Sequence, residues 1–355
     1  MVHQTKKMEF RELGRTGLKV SVIGLGTMTF GVQNTEAEGH AQIDRALDAG
    51  VNFVDTAEVY AVPPTADSYG TTEHIIGSWI AQRRGRDRII LATKVAGPGG
   101  ALGLDYVRGG DNRLDRRNLL EAIDGSLRRL QTDYVDVYQL HWPARATNFF
   151  GRLGYQHADS PDLSTIDETL EVLNDLVRAG KVRFIGVSNE TPWGVHRYLE
   201  LAEQRGWPRL VSIQNPYNLL NRSFEVGLAE MAIKEQVGLL AYSPLAFGVL
   251  TGKFMNGARP PAARIVRWSR FARYSGELAE RVTAAYVTIA REHGLDPAQM
   301  ALAFVNRQRF LTSTLIGATT MEQLETDLAS IDVRLSDDVV QAIEGVHRAH
   351  PNPCC

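Results

Sequence analysis

Val51-Asn52-Phe53-Val54-Asp55-Thr56-Ala57-Glu58-Val59-Tyr60 is the stretch on which the fold turns. Its opening residues read as a short buried strand, which ends on a carboxylate with a phenol five residues further on. The same grammar recurs twice: Ile89-Ile90-Leu91-Ala92-Thr93 leads to Lys94, and Val135-Asp136-Val137-Tyr138-Gln139-Leu140 leads to His141. As parallel strands of one barrel, these runs would project Asp55, Tyr60, Lys94 and His141 at its C-terminal mouth, where such barrels place their chemistry.

Outward from that stretch, strand and helix patterns alternate along nearly the whole chain. A leading hairpin is expected over Phe10–Leu13 and Leu18–Val20, with its turn at Gly14-Arg-Thr-Gly17. Barrel strands are expected at 22–26, 52–55, 89–94, 135–140, 183–188, 211–215, 238–243 and 313–316. Helices are expected at 36–49, 72–84, 116–130, 165–179, 192–205, 223–234, 277–293, 321–331 and 337–348. Gly50 and Gly180 follow two of them as C-terminal stops. The fold class is therefore α/β, a (β/α)8 TIM barrel with an N-terminal β-hairpin. The connections 61–70, 95–115, 142–164 and 244–276 all follow strands, so they are long loops on the C-terminal face, suited to be lids or pocket walls. One domain is expected over 8–350, with flexible tails at 1–7 and 351–355.

Composition sets the limits. The chain has 355 residues and a formal net charge of −2, which gives it no electrostatic reason to seek nucleic acid or an anionic membrane. No apolar run reaches the 18 or more residues of a membrane span, and the lysines near the amino terminus have no apolar segment behind them. Both cysteines, Cys354 and Cys355, stand at the extreme end, a poor use of thiols in a stapled extracellular fold, so a cytoplasmic protein is expected. No metal-ligand pattern is present, and oligomeric state is not legible.

Reducing a carbonyl needs hydride on carbon and a proton on oxygen. A free phenol, with a pKa of about 10, is a poor acid at neutral pH. An ammonium about 4 Å away is worth roughly 4 kcal/mol at an effective dielectric near 20, enough to lower the phenol pKa by as much as ~3. Lys94 is thus expected to make Tyr60 a usable general acid, Asp55 to keep Lys94 charged and in place, and His141 to donate to the carbonyl oxygen. Taken singly each residue has a plainer reading: Tyr60 as surface packing, Lys94 as a solvated cation, His141 as a core histidine, Asp55 as a helix cap. Four together at strand ends favour a reductase.

The order of motifs resembles the aldo-keto reductase superfamily over roughly residues 9–346, and within it a Tas-like bacterial NADP(H)-dependent branch related to potassium-channel β subunits. The residues that carry it are Leu25-Gly-Thr-Met28, Asp55-Thr-Ala-Glu-Val-Tyr60, Lys94, His141-Trp-Pro143, Gly186-Val-Ser-Asn189, Gln214-Asn-Pro-Tyr217, Ala241-Tyr-Ser-Pro-Leu245 and Gly317-Ala-Thr319. The resemblance implies NADPH as cofactor and assigns the tetrad the roles given above. A Rossmann loop is not the source of binding, since Gly24-Leu-Gly26 lacks the third glycine. The late barrel loops supply it instead. Tyr242 would stack on nicotinamide, with Ser188, Asn189 and Gln214 at its carboxamide. The segment Ser243, Pro244, Leu245, Ala246 and Gly248, with Leu250 and Lys253, would wrap the pyrophosphate. Gly26, Thr27 and Met28 join Asp55 near the reacting end, and Gly317, Thr319, Gln323 and Asp327 meet the adenosine. Asp327 stands where the family usually has Asn, so it is expected to accept from adenine but not to donate.

Arg264 is the expected 2′-phosphate ligand, because a planar guanidinium matches phosphate; Arg259, Arg267 and Arg270 are its rivals. Phe30 and Trp142, with Phe149, Phe150 and Tyr155, are candidates to line the pocket of a small-molecule carbonyl substrate whose identity is not legible. Two other readings stand beside the reductase: a barrel lyase with Lys94 as Schiff-base nucleophile, and a redox-sensing NADPH-binding subunit with little turnover.

Overall fold

The computed structural model describes residues 8–99, 102–158 and 163–355. A two-stranded antiparallel hairpin, β1 (Phe10–Glu12) and β2 (Lys19–Ser21), precedes the barrel. Then follow β3 (Ile23–Gly26), α1 (Glu36–Asp48), β4 (Phe53–Asp55), α2 (Thr71–Arg83), β5 (Ile90–Val95), α3 (Arg116–Leu130), β6 (Val135–Leu140) and α4 (Ile166–Arg178). Next come β7 (Val182–Ser188), α5 (Pro192–Arg205), β8 (Leu210–Pro216), α6 (Leu228–Glu235) and β9 (Gly238–Tyr242). The chain goes on through α7 (Arg264–Arg267), α8 (Glu277–Glu292), α9 (Pro297–Asn306), β10 (Leu311–Ile316), α10 (Met321–Ala329) and α11 (Asp337–Ala349). Strands β3 to β10 form one closed parallel barrel in the order β10-β3-β4-β5-β6-β7-β8-β9. The expected (β/α)8 barrel with its leading hairpin is the architecture found.

Alternation along each strand sends one set of side chains into the barrel and the other toward the helices. Inside, Phe53, Ile90, Ala92, Val137, Val211, Leu240 and Leu315 form one apolar cluster, and Leu13 and Val20 of the hairpin close it from below. Arg11 fixes the hairpin by donating to the carbonyls of Asn306, Gln308 and Leu311. Continuing the same parity upward from Phe53, Ala92 and Val137 leads to Asp55, Lys94 and Gln139. Polar chemistry therefore sits directly on top of an apolar plug.

The helices begin where their sequence allows. Thr35 and Thr165 each form a reciprocal capping box, with Glu38 and Glu168. The pattern departs from expectation in two places. Asp296 caps α9 and Pro297 occupies its first turn, a helix start that the periodicity reading passed over. The helix expected over 223–234 is instead a short turn, Ser223–Glu225, followed by α6. Residues 351–355, expected as a flexible tail, lie against the barrel: the Cys354 backbone donates to Leu220, the Arg222 backbone donates to the Asn352 side chain, and Cys354 is buried. Residues 1–7 lie outside the described residues. No helix among the described residues is long and apolar enough to cross a membrane.

Helices α2 and α3 approach closely at Gly77, where a Cβ would stand 2.1 Å from the Arg129 carbonyl oxygen. Alanine is the better helix former by about 1 kcal/mol, yet backbone cannot yield as a side-chain tip can. Gly77→Ala should therefore lower the unfolding free energy by about 1–3 kcal/mol, the usual cost of overpacking. Denaturant titration checks it, and an unchanged midpoint would mean the two helices part freely.

Candidate active site

Strands β4, β5 and β6 end together, and their register places Asp55 beside Ala92 and Lys94 beside Gln139. Lys94 is fully buried. Its ammonium donates to Asp55 Oδ2 at 2.6 Å and to the Thr56 carbonyl at 2.7 Å. The other carboxylate oxygen, Oδ1, accepts from Gln139 at 3.0 Å and from Gln214 at 2.8 Å, while Thr27 bonds the Asp55 carbonyl. Asp55 is thus the hub of a buried polar floor. Gln139 belongs to it although sequence reasoning passed it over; the signal available was its place two residues after Val137, on the barrel-facing side of β6. Gln214, expected at a nicotinamide carboxamide, spends its NH2 group on Asp55 and Gln139.

Tyr60 and His141 complete the group. Their rings meet edge to face with centroids 5.7 Å apart, and Trp142 lies 4.8 Å from His141. Burial, reinforced by the Lys94 charge, holds the imidazole well below its usual range, so His141 is neutral. Among the described residues its buried Nδ1 has no hydrogen-bond partner. Burial also pulls the Lys94 ammonium down, with Asp55 opposing.

The Tyr60 phenol runs counter to expectation. Burial, followed by the Asp55 charge, pushes it up, and the cation that offsets this is Arg264 rather than Lys94. The physical reason is where the ammonium points. Lys94 Nζ lies 5.0 Å from the Tyr60 ring centroid, on its face, and directs its hydrogen bonds at Asp55 and Thr56. Tyr60 is consequently protonated throughout the physiological range, which is the form a proton donor must have.

One step behind the floor, Glu58 is completely buried and accepts from the Ala96 backbone at 2.6 Å, Arg108 at 2.7 Å and Tyr69 at 2.9 Å. It ties the Asp55–Tyr60 segment to β5 and to the long loop after it. This too was missed, because Arg108 lies 50 residues downstream.

The remaining expected positions divide by region. Asn189 donates to the His141 carbonyl at 2.9 Å and accepts from the Tyr242 hydroxyl at 2.6 Å; Ser188 bonds the Gln214 carbonyl. After β9, the backbone at Ser243, Ala246, Phe247 and Gly248 runs at positive φ, as in concavities where amides gather around an anion. A Cβ on Gly248 would meet Lys253 Nζ at 2.6 Å, so only glycine leaves the ammonium its place. Pro244, Leu245 and Leu250 belong to the same turn, with Leu250 packed in the core. Arg264 lies half-buried between the rings of Phe247 and Phe271, 5.6 and 5.5 Å away, and faces Tyr60 and Lys253. Of its rivals, Arg259 is paired with Glu280, and Arg267 and Arg270 lie against Trp268 and Phe271.

At the far end, Gln323 Oε1 accepts from Thr319, and Gly317 lies beside the Gly26 carbonyl. Asp327 is buried, and burial together with Asp296 pushes its carboxyl up to about 8, with Lys253 opposing. At neutral pH the acid is mostly protonated. It therefore presents both an O–H donor and an acceptor, as an asparagine would, contrary to the expectation that it could only accept. Met28 bonds Val62 through its backbone. Trp142 joins Tyr60, Phe149 and Phe150 in an aromatic cluster at the mouth. Phe30, expected on the pocket wall, is fully buried in the main core and packs over Gly39 of α1. Tyr155 is exposed and meets His157. A cavity of ≈ 600 Å³ between α1 and α2, lined by Val32, Thr35 and His74 among others, contains none of the tetrad.

A closed parallel barrel carrying Asp55, Lys94, His141 and Tyr60 at one mouth defines a class of oxidoreductase, and sequence comparison agrees: the chain belongs to the aldo/keto reductase family, whose model matches residues 22–348. It is 55% identical over 346 residues to "Protein tas" of Escherichia coli (strain K12), covering 98% of this chain and 99% of that one. It is 35% identical over 348 residues to "Uncharacterized oxidoreductase YrpG" of Bacillus subtilis (strain 168), covering 96% of each. An "Aldo-keto reductase" of Babesia bovis is 38% identical over 254 residues, covering 68% of this chain and 88% of that protein.

Proposed function

We propose that the protein reduces an aldehyde or ketone to an alcohol with NADPH, and that Tyr60 delivers the proton. The observation that carries this reading is the buried Asp55–Lys94 pair set beside a phenol and a neutral histidine. The loop after β9 fits a phosphorylated dinucleotide: its backbone turns at positive φ, Gly248 leaves room for the Lys253 ammonium, and Arg264 stands close by. Nicotinamide, when bound, supplies hydride to the carbonyl carbon.

The protein's own groups do the rest. His141, held neutral, donates a ring N–H to the carbonyl oxygen and draws charge onto it. As the carbon accepts hydride, the oxygen becomes an alkoxide, a stronger base than phenolate. Proton transfer from Tyr60 is then downhill even though the phenol is a weak acid in the resting site. The tyrosinate formed lies over the Lys94 ammonium, 5.0 Å from the ring centroid, and afterwards regains its proton from solvent. Asp55 holds the ammonium under the ring, and Gln139 and Gln214 hold Asp55.

The Schiff-base reading fits the geometry less well. A lowered amine pKa would suit it, but Lys94 is enclosed and two of its hydrogens are engaged by Asp55 and Thr56. Arg264 remains the proposed 2′-phosphate ligand. Arg264→Ala should raise KM for NADPH about 10–100-fold, the loss of a charge-assisted contact, and change KM for NADH far less. Steady-state rates with both cofactors check it; equal losses would move Arg264 to the shared pyrophosphate or to Tyr60.

A further inference from the structure

We propose that the carbonyl substrate carries a carboxylate and that Arg273 binds it, an inference that rests on the reductase reading above. Arg273 lies in the turn Ser269–Tyr274 above the mouth. Its guanidinium is 6.0 Å from the ring of Phe150 and 6.0 Å from that of Tyr274. Phe150 is 5.9 Å from Trp142, Trp142 is 4.8 Å from His141, and His141 meets Tyr60. An unbroken aromatic wall therefore runs from the proton donor up to this guanidinium.

What distinguishes Arg273 is its company. The enclosed guanidinium groups of Arg86, Arg108, Arg129, Arg145 and Arg222 each meet a carboxylate within the protein. Arg273 is half-buried, and the groups around it are the hydroxyls of Tyr242 and Tyr274, both kept neutral by burial. The nearby Cys355 thiol is likewise pushed up to about 11 and carries no charge. Among the described residues no carboxylate neutralises this cation, although removing it partly from water makes an anion welcome.

The cofactor is a poor candidate for that anion. Its phosphates have Lys253 and Arg264 to meet them; Arg264 packs on Phe247 and on Phe271 of Arg273's own turn, 5.6 and 5.5 Å away, while Arg273 faces the hydroxyls of Tyr242 and Tyr274. Tyr242, the residue at Arg273's side, is tied to Asn189 and so belongs to the reacting end of the cleft. An anion at Arg273 is thus an anion on the substrate, at the end remote from the carbonyl. The planar guanidinium favours a carboxylate that can take two parallel bonds.

The test uses two pairs of probes that differ in this one charge: 4-carboxybenzaldehyde with its methyl ester, and 4-oxobutanoate with its methyl ester, each assayed with NADPH. For at least one pair, the acid should have a kcat/KM about 10–100-fold above the ester, as hydrogen bonds to a charged group allow. Arg273→Met should erase that advantage by raising KM for the acid, leaving KM for the ester and for NADPH unchanged; Arg273→Lys should keep part of it. Wild-type protein that treats acid and ester alike overturns the proposal while leaving the reductase standing. So does an Arg273→Met protein that loses equally on both. If neither member of either pair consumes NADPH, the reductase reading falls and this inference with it.

Discussion

Tyr60→Phe should retain NADPH binding and lose turnover by about 10²–10⁴-fold, the usual worth of a general acid. Among the described residues the phenol hydroxyl has no hydrogen-bond partner in the resting site, and the ring's contacts with His141 and Lys94 involve its edge and face rather than its oxygen. Phenylalanine keeps those contacts, so folding and cofactor affinity should survive. What disappears is a group needed only once charge has developed on the substrate oxygen, and such a loss falls on kcat more than on binding. Cofactor fluorescence titration beside steady-state rates separates the two. Turnover close to wild type would remove Tyr60 from the reaction.

Lys94→Met should damage both catalysis and stability. Methionine approximates the stem, but Asp55 would keep its charge with Gln139 and Gln214 as its remaining side-chain donors. Breaking a buried ion pair from one side typically costs about 3–5 kcal/mol, so a clear fall in the unfolding midpoint is expected. Catalytically, an unshielded Asp55 drives the phenol further up, while the imidazole, relieved of a nearby cation, binds a proton more readily. Reduction should therefore collapse. Lys94→Arg restores charge with a wider planar head, which fits poorly in a fully enclosed space, and should recover only part of the rate. A Schiff-base enzyme would be equally dead with both, since neither supplies a primary amine; borohydride trapping of substrate on the wild-type lysine would support that alternative.

Much of this was legible in the chain because barrel strands are read from local pattern. Apolar runs ending on Asp55, Lys94 and His141 announce both a strand and its C-terminal end, and the closed barrel follows from repeating them. Helix α9 was missed although Asp296-Pro297 is a sound start signal; its interior, Met300-Ala-Leu-Ala-Phe-Val305, is apolar all round and shows no stripe. The site was legible as a set of residues but not as a network. Gln139 on Asp55, and Arg108 on Glu58, join positions 84 and 50 residues apart, and nothing in local periodicity encodes such a pairing. The direction of the Tyr60 shift failed for a related reason. The sequence shows that an ammonium is present, whereas the sign depends on where its hydrogens point and how much water is excluded. Phe30 illustrates the same limit for aromatics, whose side of the wall is set by packing with α1.

The hairpin beneath the barrel has a consequence for biosynthesis. Strand β3 pairs with β4 on one side and β10 on the other, and Arg11 is fixed by the Asn306 carbonyl, 295 residues along the chain. At synthesis rates of about 5–20 residues per second, roughly 15–60 s separate the emergence of those partners. During that interval the nascent sheet carries an unpaired edge and a hairpin floor not yet anchored by Arg11, the condition under which strands find foreign partners. Closure by such distant contacts also makes folding slow. Yield in cells should therefore depend on how well that edge is sheltered until the last strand arrives.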